Sequence, residues 1–111
     1  MARYAFQLRI RAGMEAEYDR LHVAVWPDLL SDLAAAGVTE YSIFRRGQQL
    51  FLYLHVDNFD LYQQRMSSSD ANARWQKMMA PIFEPVPDLR DGEELAMMEE
   101  VFYMQGGPQS L

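Results

Sequence analysis

Residues 3–11, RYAFQLRIR, alternate strictly: Tyr4, Phe6, Leu8 and Ile10 fall on one side, and Ala5, Gln7, Arg9 and Arg11 on the other. A period of two with one apolar side is the pattern of a strand that buries a single face. At Met14 the spacing becomes helical, with Met14, Tyr18, Leu21, His22, Val25 and Leu29 on one stripe and Gly37 as the C-terminal stop. Pro27 cuts this stripe. It removes the hydrogen bond to the carbonyl of Val23, and its ring crowds the preceding turn, so a kink or a restart is predicted near Trp26.

EYSIFRR, residues 40–46, predicts a second strand, and a turn at Gly47-Gln48 leads into a third, LFLYLHV, residues 50–56. In the third strand Leu50, Leu52, Leu54 and Val56 share one face, while Phe51, Tyr53 and His55 share the other. Asp57 or Asn58 can cap a helix with the stripe Phe59, Tyr62 and Met66. Asp70 can cap another that carries Ala71, Trp75, Met78 and Met79. Residues 83–95, with two prolines and a glycine, read as a long loop before a last strand, MMEEVFYM, at 97–104. One domain over 1–104 and a loose tail over 105–111 are expected.

The order strand, helix, strand, strand, helices, strand is that of a split βαβ unit, an α+β fold with helices on one face of an antiparallel sheet. The other face is left bare, and it is expected to carry Tyr41, Phe51, Tyr53 and His55. Packing of two sheets face to face in a homodimer is the natural way to cover it.

With 111 residues the chain can bury about 65% of its unfolded surface around one core, and 50% hydrophobic and 23% charged residues are ordinary globular values. A net charge of −6, with ten basic residues spread along the chain, argues against nucleic acid as a partner. The absence of cysteine removes disulfides, thiolate metal sites and a cysteine nucleophile. Two histidines without cysteine make a poor ligand set, so no metal or cofactor is expected. No apolar run reaches the roughly 18 residues of a membrane span, and MARYAFQLRIR lacks the apolar stretch of a signal peptide. A soluble, cytoplasmic protein with no membrane partner is the expectation.

Several segments, taken in order, resemble the L-rhamnose mutarotase family across nearly the whole chain. They are Tyr4-Ala5-Phe6, Gly13-Met14-Glu15-Ala16-Glu17-Tyr18, His22, Trp26-Pro27-Asp28-Leu29, Gly37 with Tyr41-Ser42-Ile43, Arg74-Trp75, and Glu100-Val101-Phe102-Tyr103. The resemblance implies a ferredoxin-like domain paired as a dimeric α+β barrel, working without a metal on the α and β anomers of a 6-deoxy sugar. It implies His22 as proton donor and Tyr18, Tyr41, Trp75 and Gln76 at the sugar. Where the family usually has two adjacent tryptophans, this chain has Trp75-Gln76, and Pro85-Val86-Pro87-Asp88 replaces the usual Asn-Pro-Asp. Both departures touch the sugar pocket, which keeps L-fucose as a competing substrate beside L-rhamnose.

The residue types suit that chemistry. Opening a pyranose needs a proton delivered to the ring oxygen while another leaves the anomeric hydroxyl, and an imidazole exchanges protons near neutrality. Tyr18 and His22, four apart on a helix, face one small ligand together, and an indole packs on the C–H face of a sugar. Glu99, Glu100, a tyrosine hydroxyl or a water are open as the second proton acceptor. Without the resemblance, His22 and Trp75 read sooner as structural residues than as site residues, and Tyr18 and Tyr41 read equally as either. Trp26-Pro27 reads as the device that fixes the kink, and His55 as an interface or wall residue. Two rival functions share the scaffold: a small haem-degrading or quinol-type monooxygenase, and a sugar-binding dimer without catalysis.

Overall fold

The computed structural model describes residues 2–107. Its centre is strand β1 (Ala2–Ile10), which pairs antiparallel along its whole length with β3 (Gln49–Val56), from Ala2 opposite Val56 to Arg9 opposite Gln49. β3 pairs in turn with β2 (Val38–Arg46) through the Gly47-Gln48 turn, where Gly47 takes φ +59°, a left-handed value that glycine adopts without a Cβ penalty. The free side of β1 is shared by two short strands, β4 (Phe83–Glu84) opposite Arg9–Ile10 and β5 (Ala96–Met98) opposite Ala5–Gln7. The sheet order is β2-β3-β1-β4, with β5 also on β1.

The four inward residues of β3 are the most thoroughly buried row, with Leu50, Leu52, Leu54 and Val56 at 0–3% exposure. Each contributes about 1.5–3 kcal/mol of transfer free energy. Phe6 and Ile10 continue the row on β1, and four helices cover it. The first helical stripe is divided into α1 (Glu15–Leu21) and α2 (Pro27–Ala35). Pro27 starts the second helix, where its missing N–H leaves nothing unsatisfied. α2 ends before Gly37, at φ +99°, where an added Cβ would meet Val56 at 3.4 Å.

α3 (Phe59–Ser67) begins at Asn58, whose Oδ1 accepts from the Leu61 amide at 2.9 Å. α4 (Asp70–Met79) is capped by Ser69 and not by the expected Asp70: the Ser69 hydroxyl accepts from the Asn72 amide at 3.0 Å and donates to Asp32 Oδ2 on α2 at 2.5 Å. A hydroxyl that can do both ties two helices together. A carboxylate could only accept.

Two expectations are corrected. Tyr41 stands opposite Leu54 on β3, so with Ile43 it lies on the helix-covered face and not on the bare one. The bare face carries Phe44, Phe51, Tyr53, His55 and Met98. The last strand spans 96–98 and not 97–104. Its register with β1 would continue to Val101 opposite Ala2, yet pairing stops at Met98 opposite Ala5. Residues 99–104 instead run out extended and exposed, fastened by a fork from Arg3 to the Glu100 carboxylate (2.8 and 2.8 Å) and by the Arg3 cation over the Tyr103 ring at 3.4 Å. Of the expected loose tail, residues 108–111 lie outside the described residues.

Candidate active site

α1 is short, and Tyr18 is its one buried residue. One turn later the helix closes at His22, whose backbone N–H donates to the Asp19 carbonyl at 3.1 Å. The imidazole folds back over the same turn. Its ring stacks on Tyr18 with centroids 4.2 Å apart and planes 28° from parallel, and Nδ1 lies 2.8 Å from the Tyr18 carbonyl oxygen. A carbonyl can only accept, so Nδ1 carries the proton and donates. No other residue among those described bonds the ring, and Nε2 is left as the nitrogen able to exchange a proton.

Trp75, buried on α4, presents its face edge-on to this imidazole at 5.4 Å and 89°. Trp26 meets the same indole from the α2 side at 5.1 Å and 88°. The backbone of Trp26 is extended (ψ 132°), as steric pressure from the following proline ring requires, and this turn of the chain is what brings the ring to Trp75. The Arg74 guanidinium lies 5.5 Å from the Trp26 centroid. Phe83 on β4 approaches Tyr18 at 6.2 Å and completes the aromatic wall.

Tyr41 reaches the same side of the sheet from β2. Burial holds its phenol well above the usual tyrosine value, with smaller contributions from Tyr62 and Tyr18 nearby. Burial likewise pushes Tyr18 up to about 12, helped by the Asp19 charge, and raises Tyr62. These phenols stay protonated at neutral pH and act as hydrogen-bond donors, not as bases. Gln76 stands apart from the others: it is exposed on α4, and its side-chain amide donates to Asn72 Oδ1 at 3.3 Å.

Tyr18, His22 and Trp75 therefore gather on one side of the sheet, and Tyr41, which the alternation assigns to the bare face, joins them there. Trp26, read from sequence as a purely structural residue, belongs to the same aromatic group. Tyr62 reads in the sequence only as a member of its helical stripe, and Phe83 as the start of the 83–95 loop, where the structure has β4 instead. Of the candidate second acceptors, Glu100 is held by Arg3 on the opposite, bare face, and Glu99 lines a hollow of about 210 Å³ there with Arg3, Phe51 and Tyr53. Neither carboxylate reaches His22 within this chain. Among the described residues no three His, Asp or Glu side chains converge as a metal site requires.

A family model described as L-rhamnose mutarotase matches residues 3–104. The chain belongs to the L-rhamnose mutarotase family. A family member from Opitutus terrae is 35% identical over 106 residues, covering 94% of this chain and 99% of its own. The crystal structure of L-rhamnose mutarotase FA22100 from Formosa agariphila superposes with a TM-score of 0.76 at 30% identity, over 95% of this chain and all of that one. A dimeric ferredoxin-like protein from an uncultured marine organism shares the fold alone, with a TM-score of 0.56 at 13% identity over 93% of this chain and 91% of that one. As a mutarotase-family chain with the order β2-β3-β1-β4, the protein has the ferredoxin-like α+β architecture.

Proposed function

We propose that this protein is an isomerase that interconverts the α and β anomers of L-rhamnose, with His22 as the proton donor. The observation that carries the reading is the imidazole held between Tyr18 and Trp75 with Nδ1 committed to a backbone carbonyl and Nε2 uncommitted. A tautomer fixed at one nitrogen makes the other a defined point of exchange.

In this mechanism protonated Nε2 gives its proton to the ring oxygen, and the anomeric hydroxyl loses its own. The C1–O5 bond breaks to leave an open-chain aldehyde. Rotation about C1–C2 presents the other carbonyl face, and reclosure returns both protons. The phenols of Tyr18 and Tyr41, kept protonated by burial, donate to sugar hydroxyls, and the Trp75 indole packs against the C–H face of the ring. Because the phenols are poor bases and both carboxylates lie across the sheet, water takes the second proton. Positioned proton transfer supplies about 10²–10⁴-fold, enough for a reaction that already proceeds in water.

Residues 1–104 form the working domain in this reading, and it acts as a cytoplasmic homodimer paired through the bare face of the sheet. The exposed Phe44 and Phe51 support the pairing, and the dimeric ferredoxin-like neighbour shares the scaffold. No helix among the described residues is long and apolar enough to cross a membrane.

Saturation transfer between the anomeric protons of L-rhamnose and of L-fucose, with wild type and His22→Ala, tests the function. Faster exchange on L-rhamnose, lost in the variant, is the expected result. A preference for L-fucose would reassign the sugar, and binding without acceleration would reduce the protein to a sugar-binding dimer.

A further inference from the structure

α1 carries Tyr18 and ends on His22, yet little of its own holds it. It has seven residues, too few to be stable alone, and its N-cap, Met14, makes no side-chain cap hydrogen bond. Glu17 is engaged within the helix by Arg20 at 2.8 and 2.7 Å, which ties α1 to nothing else. Tyr18 and the partly buried Leu21 attach it through packing, and the His22 ring meets Trp75. Asp19, next to Tyr18, attaches it through charge.

Arg45, near the end of β2, has the same parity as Tyr41 and Ile43 and so rises on the helix-covered side. Its guanidinium grips the Asp19 carboxylate with two parallel bonds, Nε to Oδ1 at 2.7 Å and Nη2 to Oδ2 at 2.6 Å, and its Nη1 donates to the Gly47 carbonyl at 3.0 Å. A fork-to-fork pair fixes distance and orientation together, which a point charge cannot do. The carbonyl of Asp19 also accepts the His22 amide, so the residue held by Arg45 is the one that closes the turn under the imidazole.

We infer that Asp19 and Arg45 are the positioning pair of this site: by clamping the last turn of α1 to the end of β2, they hold the His22 ring against Trp75 and in its Nδ1–H tautomer. The inference rests on His22 as the proton donor. Neither residue touches the sugar.

The test compares wild type with Arg45→Ala, Asp19→Asn, Arg45→Lys and the swapped pair Asp19→Arg with Arg45→Asp. Anomeric saturation transfer gives kcat and KM on L-rhamnose, and nitrogen-detected NMR of the imidazoles gives the His22 tautomer. We expect Arg45→Ala and Asp19→Asn to lower kcat about 10-fold with KM within about twofold, as a displaced catalytic group does, and to turn His22 into a mixture of tautomers. Arg45→Lys is expected to recover part of kcat, and the swapped pair most of it. Wild-type kcat and tautomer in both Arg45→Ala and Asp19→Asn would overturn the proposal, as would a swapped pair that folds but recovers neither. If wild type accelerates neither sugar, the proposed function falls, and the tautomer comparison still decides whether the pair positions the ring.

Discussion

The two histidines of this chain lie on opposite faces of one sheet. His22, on the helix-covered side, has one nitrogen satisfied by a backbone carbonyl and aromatic rings on two sides. His55, on the bare side opposite Arg3, has its Nδ1 only 3.9 Å from Glu40, while its Nε2 is buried without a hydrogen-bond partner among the described residues. An unpartnered buried polar atom costs about 1–3 kcal/mol. The difference separates two uses of one side chain: the His22 environment is complete among the described residues, and that of His55 leaves a nitrogen unpartnered there, which in our reading a second copy covers.

Exchanging the roles gives the largest expected effect. His22→Ala is expected to remove about 10²–10⁴-fold of the anomer exchange while leaving the oligomer intact. His55→Ala is expected to keep exchange within about threefold of wild type, and to change the dimer dissociation constant measured by analytical ultracentrifugation. A large loss of exchange in His55→Ala would merge the two faces into one functional unit.

Trp75→Ala probes the covered face through packing. Loss of a buried indole is expected to destabilise the fold by about 3–5 kcal/mol in urea titration. Phe51→Ala, on the open face, is expected to change monomer stability by less than about 0.5 kcal/mol and to act on association instead. Equal effects would show that the open face is part of the same core.

Alkaline pH sharpens the comparison further. The Tyr18 phenol has a folded value of about 12 against an ordinary 10.0, so the folded state keeps a proton that the unfolded state gives up. The contribution of Tyr18 is fully present below pH 10.0 and is lost as the pH rises toward about 12, on the order of 2 kcal/mol in all. Melting curves at rising pH are expected to show this fall and to flatten in Tyr18→Phe. The smallest effect is expected from Tyr41→Phe, which in the proposed mechanism removes one hydrogen bond to sugar: KM rises about 5–10-fold, for about 1 kcal/mol, with kcat nearly unchanged.

Much of the fold could be read from alternation and spacing. The two faces of β3 separate as the sequence reads, and Pro27 divides the first helical stripe at Trp26 because a pyrrolidine ring acts locally. Tyr18 and His22 gather for the same local reason. Tyr41 was misplaced because residues 40–46 put aromatic rings on both parities, and only pairing with Leu54, after an irregularity between Val38 and Glu40, settles which ring faces the helices. The last strand is confined to Ala96–Met98 by its pairing with Ala5–Gln7 of β1, a partner far away in sequence. Ser69 overtook Asp70 as a cap because Asp32, on another helix, accepts its hydroxyl. The positions of Glu99 and Glu100 behind the sheet follow from Arg3 and have no signal in their own segment.

The apolar run Val101 through Met104 stands exposed beyond the end of β5. If a second copy covers this run, as the proposed pairing has it, stability becomes a function of how many copies share the solution. Dilution then acts as a mild denaturant, and a melting temperature has meaning only beside the concentration at which it was recorded.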